Sequence, residues 1–432
     1  MLFVSVFAVC LLIGVPIAFS MGLAGLIYLP FNDVPVIAIV QRIFGGLDSF
    51  TLLAVPLYLL VGEIMEAGGI SMRIINFADS LVGHIRGGLG HVVVVTTLIM
   101  SGISGSTTAD TAAVGSIMIP SMERKGYKRV GATAIVAAAG GMDILIPPCI
   151  TMIILGTVCG LSIANLFFAG IFPAFVMSVG LMVVIYFKAK KDNIPVQPRK
   201  SLRHVAGTFR SAFLALLIPI IILGGIKIGI FTATEGAVAA AIYAAIVAVF
   251  FYREVKLKDW RGIFLRAATS TAQIELLIAM ASLLAWVTAR ERLPDMLLQF
   301  ILGISDSPYV FLLFVNVIFL IFGAVLEGSP AIIILAPLFM PVATKLGLDP
   351  IYFGTVLMAN LGVGFILPPV GLALLVATSV GRVTIAQLTK PIMPYFAVMV
   401  IAMLLITYIP DISLALPKMF GYKPIGSFVG FW

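Results

Sequence analysis

Charge is what this chain has least of. Only 11% of its 432 residues are Asp, Glu, Lys or Arg, against about 25% in a soluble domain. Too little polar sequence remains to cover a water-soluble core. Cysteine is nearly missing as well. Cys10, Cys149 and Cys159 lie in apolar segments without CxxC spacing, which leaves them as small packing residues and excludes a disulfide framework. The three histidines, His84, His91 and His204, form no ligand cluster for a transition metal. There is no GxxxxGK[ST] phosphate loop, so ATP hydrolysis by that device is excluded. There is no HExxH and no Ser–His pair at useful spacing. The opening "MLFVSVFAVC" has no basic n-region and no small-residue cleavage site behind it, so it reads as a first transmembrane helix and not as a removable signal.

What is present is apolar. Such stretches run over 2–29, 51–65, 92–100, 131–159, 166–187, 211–231, 236–252, 274–288, 309–326, 331–342, 351–380 and 392–409. Several reach the roughly 20 residues that span a bilayer as a helix. The expected fold class is an all-α polytopic membrane protein in a lipid bilayer. The net charge of +8 fits basic cytoplasmic loops better than nucleic acid, and no nucleic-acid partner is expected. The densest basic stretches, 188–204 and 253–266, followed by 123–129, are placed in the cytoplasm by the positive-inside rule. Segments 293–308 and 343–350, poor in bases, are placed outside.

A constant shift of 221 residues, without gaps, relates two long regions. It pairs Pro147-Pro148 with Pro368-Pro369, Gly102 with Gly323, Pro120 with Pro341, Gly126 with Gly347, Gly141 with Gly362, Thr157 with Thr378, Gly160 with Gly381 and Pro173 with Pro394. Glycine and proline, the residues that set backbone geometry, match most often. The loop after Pro120 carries four bases and its mate after Pro341 carries one. Equivalent loops therefore prefer opposite sides of the membrane, the signature of two inverted-topology repeats. The first repeat covers 1–187: scaffold helices 1–90, hairpin 92–120, broken helix 131–160 and helix 166–187. A basic linker, 188–206, follows. The second covers 207–409: scaffold helices 207–289, hairpin 309–341, broken helix 351–380 and helix 391–409. A tail, 410–432, remains. Both termini fall outside. The hairpins are read as re-entrant because each breaks at small polar residues, "SGISGSTTAD" (101–110) and "LEGSP" (326–330), leaving halves of about 10 to 16 residues, too short to span alone.

Breaking a helix inside a membrane exposes carbonyls at one end and N–H groups at the other. The first are hard oxygen ligands for a small cation; the second attract an anion. The candidate cation set is Ser101, Gly102, Ser104, Gly141 and Asp143 in the first half, and Gly323, Glu327, Gly328, Gly362 and Gly364 in the second. Candidate substrate residues are Ser106, Thr107, Asp110 and Thr151. Each has a plainer alternative. Membrane Ser and Thr often bond their own backbone. Asp143 serves equally as a cap of the next half-helix, and Glu327 as a cap of the second hairpin helix. A channel built on the same repeat, or an intramembrane enzyme with Asp110 and Asp143 as its acid pair, are the competing function classes.

The serine-rich tip "SGISGSTTADTAAVGSIMIPSMERKGY", the "ILIPP" break, "GIFTATEGAVAAAIYA" and "GFILPPVGLALLV" together resemble the large membrane subunit of tripartite ATP-independent periplasmic (TRAP) transporters, over nearly the whole chain. The resemblance implies an elevator-type secondary transporter of the bacterial inner membrane, a non-enzyme coupled to Na⁺. It implies a small four-helix membrane subunit and a periplasmic substrate-binding protein as partners. It places cation sites at Ser101–Ser106 with the 140–144 break, and at 323–329 with the 362–366 break. Ser106 and Thr151 are carried over as ligands of a substrate carboxylate. Dicarboxylate-type members look like "GSSPAT" at the first tip. This chain has "GSTTADT", and Asp110 resembles the sialic-acid branch, so sialic acid is the expected substrate with C4-dicarboxylates as the alternative. Where the family often has "TPTE", this chain has "TATE" (232–235), which leaves the role of Glu235 open.

Overall fold

In a bilayer every backbone N–H and C=O must be bonded within the protein, and a helix does this within one segment. The computed structural model describes residues 2–28 and 34–428, and among these the regular structure is helical throughout. Leu2–Leu12 (α1), Ile17–Ile27 (α2), Val36–Leu47 (α3), Ala54–Ala67 (α4) and Ile70–Val82 (α5) precede a first hairpin, Gly88–Ser104 (α6) and Thr107–Arg124 (α7). Then come Arg129–Asp143 (α8), Ile150–Cys159 (α9) and the long Ile163–Lys191 (α10). Leu202–Lys227 (α11), Ala233–Ile246 (α12), Trp260–Arg290 (α13) and Leu293–Leu302 (α14) lead to a second hairpin, Pro308–Val325 (α15) and Gly328–Lys345 (α16). Pro350–Gly364 (α17), Leu372–Gly381 (α18), Ile385–Tyr408 (α19) and Asp411–Met419 (α20) complete the chain. Eight of the described helices are long and apolar enough to cross a membrane.

The 221-residue shift carries α7 onto α16 and α8 onto α17 to the residue at both ends. It relates α6 to α15, α9 to α18 and α5 to α14 within two residues, and superposes α4 on the second half of α13. Contacts are reciprocal. α7 packs on α18 as α16 packs on α9; α8 meets α19 as α17 meets α10; α4 meets α12 as α13 meets α2. α8 with α17, α10 with α19 and α4 with α13 pack against their own mates. Reciprocal contacts of this kind are what a two-fold relation produces.

Three details differ from the sequence expectation. The hairpin arms have 17 or 18 residues, longer than the halves read from the polar runs, and α15 and α16 are each long and apolar enough to cross a membrane, contrary to the expectation that no arm could span alone. Ser101 to Ser104 stay helical because the hydroxyl of Ser101 donates to the carbonyl of Asp143, 2.9 Å away. The polar run is packed against a neighbour and is not unwound. The break shrinks to Gly105, in the left-handed region at φ 63°, and Ser106. The linker between regular elements is only 192–201, since α10 and α11 both extend into the basic stretch. The tail is not plain coil: its first part forms α20, which packs on α10.

The two broken helices cross at glycine. A Cβ on Gly141 would stand 2.8 Å from the Gly362 carbonyl oxygen, and one on Gly362 would collide with the carbonyl oxygen of Gly141. At Gly224, by contrast, a Cβ meets nothing within 4 Å. Gly362→Ala is therefore expected to lower the thermal stability of the purified protein by about 1–3 kcal/mol or to prevent its accumulation, whereas Gly224→Ala leaves the melting temperature unchanged or higher. Equal melting temperatures for the Gly362→Ala variant and the parent would contradict the crossing.

Candidate functional site

Each hairpin tip lies against a helix break. At the first tip, Gly105 approaches the first break so closely that a Cβ would stand 2.7 Å from the Pro148 carbonyl oxygen. At the second, a Cβ on Gly323 would stand 2.9 Å from the Leu361 carbonyl oxygen, and one on Gly364 would stand 2.7 Å from the Gly323 Cα. The second tip also reaches the first break: a Cβ on Gly328 would be 3.1 Å from Thr151 Oγ1. Ser106 and Glu327, 221 residues apart, are the N-cap residues of α7 and α16.

Between the tips is a cavity of about 330 Å³. Ser106, Thr107, Thr151, Glu327 and Gly328 share its wall, so three of the four substrate residues expected from sequence meet there, together with two residues of the expected cation set. Four helices begin at this cavity, α7 at Thr107, α9 at Ile150, α16 at Gly328 and α18 at Leu372, and each first residue lines it. None of these four has a side-chain cap. By contrast Ser162, Ser201, Thr232, Asp349 and Thr384 cap α10, α11, α12, α17 and α19. The uncapped N–H groups carry partial positive charge. Among the described residues no Lys, Arg or His lines the cavity, so the positive charge on offer to a ligand there is the partial charge of the helix ends. Such a surface receives a carboxylate or another small anion.

Asp110 is placed elsewhere. It lines a neighbouring cavity of about 450 Å³ with Ser104, Glu63 and Glu66, joined to the first through Ser106, Thr108 and Ser270. Its carboxyl group adjoins Asp143 and Ser104, and Asp143 adjoins Ser101 and Thr107. Both aspartates are 1% exposed, and Asp110 Oδ2 and Asp143 Oδ1 have no hydrogen-bond partner. Two buried carboxyl groups in contact need a positive charge between them, either a cation or a shared proton. With three hydroxyls alongside, the donors are hard oxygens, which fit a small cation. Asp143 is the last residue of α8, and α9 starts from Cys149 without a side-chain cap; the capping reading of Asp143 is overturned. Glu327 holds the N-cap position of α16 but its side chain bonds no helix N–H, so it does not cap either.

The second half has no such acids at its break. The mates of Asp143 and Asp110 are Gly364 and Ala331, and the contact of Gly323 with Gly364 is made by backbone. Gly102, Gly141 and Gly362 stand at close helix approaches, Gly102 with a Cβ position 3.4 Å from the Pro147 carbonyl oxygen. Glu235 closes a capping box with Thr232, whose backbone N–H donates to Glu235 Oε2 at 2.8 Å; its role is structural. Sequence reasoning missed Ser270 and Gln273 of α13 and Glu66 of α4, which line the cavities from across the hairpins. The polar run "TSTAQIE" (269–275) inside an otherwise apolar helix was the available signal.

Residues 4–412 match the family model described as "Tripartite ATP-independent periplasmic transporter, DctM component". The chain belongs to the TRAP large permease family. It is 41% identical over 403 residues to the C4-dicarboxylate TRAP transporter large permease protein DctM of Pseudomonas aeruginosa, covering 93% of this chain and 94% of that one. It is 38% identical over 411 residues to the sialic acid TRAP transporter large permease protein SiaM of Vibrio cholerae, with 95% and 96% covered. Among solved structures, the YdaH transporter of Alcanivorax borkumensis shares the fold at a TM-score of 0.63 and 14% identity, over 90% of this chain and 88% of that one. This TRAP permease is thus a multi-pass membrane transport protein and not an enzyme. The aspartate pair required by the enzyme reading does converge, with both residues buried. The family implies a small membrane subunit and a periplasmic binding protein as partners.

The cavity wall can be tested chemically. With Cys10, Cys149 and Cys159 replaced by alanine, Ser106→Cys is expected to react with a water-soluble thiol reagent. Thr111→Cys, buried against Gly140, is expected to stay unlabelled. Failure of Ser106→Cys to label would show that the cavity is not accessible to water.

Proposed function

We propose that this permease carries out Na⁺-coupled uptake of a carboxylate-bearing substrate, delivered by the periplasmic binding protein and moved by an elevator mechanism. The observation that carries this reading is the convergence of four uncapped helix N-termini on one cavity. Ser106, Thr107 and Thr151 hold the substrate carboxylate there. Na⁺, as co-transported cargo, takes the oxygen-rich seat of Ser101, Ser104, Asp110 and Asp143. A second Na⁺ takes the backbone seat around Gly323 and the 362–366 break. A carboxylate substrate beside Glu327 is repelled unless cations accompany it, which makes coupling a requirement of the charge arrangement.

The same wall favours one substrate class. Ser106, Thr107, Thr108, Thr151, Gln273 and Ser329 offer many hydrogen bonds, while Glu327 is the one charged lining residue described. A second substrate carboxylate has no basic partner. This supports a polyhydroxylated monocarboxylate such as sialic acid over a C4-dicarboxylate; the relatives include permeases named for each. The moving body comprises the two hairpins and the two broken helices. The static wall is α4 and α13, which contribute Leu59, Ser270, Gln273, Ile274 and Leu277. In the inner membrane the two halves have inverted topology, with the basic stretches in the cytoplasm and both termini in the periplasm.

Reconstituted with its small subunit and binding protein, the permease is expected to take up sialic acid only under an inward Na⁺ gradient and to ignore succinate. Uptake that is unchanged without Na⁺ would overturn the coupling, and preference for succinate would overturn the substrate class. Ser106→Ala is expected to raise the substrate KM by about 10-fold, the worth of one hydrogen bond to a charged group. Asp143→Asn is expected to raise the Na⁺ concentration needed for half-maximal uptake. If Asp143→Asn changes only substrate KM, the first cation seat is misassigned.

A further inference from the structure

The pseudo-two-fold relation also pairs two grooves at opposite ends of the molecule. One lies between α17, α19 and α10, and the chain's own tail fills it. Tyr422 Oη and the N–H of Ile425 both donate to Asp349 Oδ2 at 2.8 Å. The N–H groups of Ser427 and Phe428 donate to the Gly347 carbonyl at 3.0 and 3.1 Å. The Phe428 ring packs 6.0 Å from that of Tyr352, and Phe420 4.6 Å from Phe168.

The mate of this groove, between α8, α10 and α19, is open. It is a cavity of about 660 Å³, twice the volume of the one between the tips. Gly126 stands where the other groove has Gly347, and Lys128 stands where it has Asp349. Lys188 and Lys390 also line it, against one carboxylate, Asp192. Among the described residues none of the three lysines forms a salt bridge within 4 Å. The Lys188 ammonium is half-buried. It donates to the Pro391 carbonyl at 3.0 Å and stands 4.8 Å from the centre of the Tyr395 ring, which aims it into the cavity with donors to spare. The residues 192–201, which correspond in sequence to the start of the tail, form no helix here and contribute only Asp192 and Ile194 to the wall. Beside the opening, α10 and α19 expose Val183, Phe187 and Met393. Both are long and apolar enough to span the membrane.

We propose that this cavity binds the phosphodiester headgroup of an anionic phospholipid, with Lys128, Lys188 and Lys390 around the phosphate and the acyl chains along α10 and α19. A basic pocket between spanning helices at the membrane surface has the charge and position for such a headgroup. The exposed apolar flank distinguishes a lipid from a free anion. The tail-filled mate shows that this shape of groove accepts an elongated occupant with a polar end. Placing the site in the cytoplasmic leaflet rests on the orientation proposed above; the binding itself does not.

Native mass spectrometry of the full-length purified protein, titrated with dioleoyl phosphatidylglycerol, dioleoyl phosphatidylcholine or sodium phosphate, tests the site. Phosphatidylglycerol is expected to occupy one saturable site more tightly than phosphatidylcholine. The Lys128→Gln/Lys390→Gln protein should bind it at least about 10-fold more weakly, at roughly a factor of several per lysine, with an unchanged melting temperature. Lys128→Arg/Lys390→Arg, which keeps both charges, should retain it. Equal phosphatidylglycerol affinity in the glutamine variant and the parent would overturn the proposal. So would displacement of the lipid by millimolar phosphate, which would mark a free-anion site. Loss of the cavity's lipid on adding the small membrane subunit would assign the groove to a protein partner instead.

Discussion

Two helices that touch backbone to backbone leave no room for adjustment at the contact. Gly141 and Gly362 make such a contact, and the positions of the four half-helices follow from it. α8 and α17 are pinned where they cross, so their ends at Asp143 and Gly364 fall on either side of the crossing. The short turns after them launch α9 and α18 back toward the same centre. The hairpin tips must then fit between these ends, and they do so with glycine at each close approach: Gly102 and Gly105 on one side, Gly323 and Gly328 on the other. At Gly105 and Gly323 a Cβ would come within 3 Å of backbone atoms of the facing break, so a side chain at either point would push its tip outward. The cavity's size is therefore set by backbone contact, which deforms less readily than side-chain packing.

The symmetry is in the backbone and not in the chemistry. Ser106 has Glu327 as its mate, Thr151 has Leu372, Asp143 has Gly364 and Asp110 has Ala331. Each pair occupies equivalent places, yet one member is polar where the other is apolar, neutral or backbone only. A duplicated frame thus holds a single asymmetric site. A ligand at the centre sees hydroxyls from the first half and an acid from the second, and cannot bind in two equivalent orientations. This is the condition for recognising an asymmetric molecule with one carboxylate.

Much of the frame was legible in the sequence because its determinants are local. Proline and glycine act on the backbone at their own positions, so a constant shift in their spacing reports a shift in helix ends. The breaks at Pro147-Pro148 and Pro368-Pro369 are legible this way, while the tips show as the small polar runs 101–110 and 326–330. The hairpin arms were read too short because Ser101 to Ser104 look like a loop by composition, while a tertiary bond from Ser101 to Asp143 keeps them helical. The meeting of Asp110 with Asp143 is likewise a property of packing, since 33 residues and a loop separate them in the chain. Ser270 and Gln273 were missed because helix α13 carries them from outside the hairpins. α20 was missed because a nine-residue helix depends on the surface of α10 beneath it, and its own sequence carries little signal.

Under the proposed elevator cycle, in which the carrier returns empty, the absence of a basic side chain from the described wall of the central cavity has a consequence. A lysine there would keep a whole charge inside the membrane on the return, at a cost of several kcal/mol unless paired. Helix N-termini hold only partial charges, each balanced by the opposite end of the same helix within the moving body. They attract a carboxylate when one arrives and leave no net charge when it departs. Asp110 and Asp143 invert the problem: buried and adjacent, they need a cation or a shared proton between them. In the proposed cycle two Na⁺ and one carboxylate add one net positive charge to the body, so the loaded body carries less negative charge than the empty one in the same protonation state. Under the proposed function, the acid pair is the element that would tie movement of the body to its occupancy.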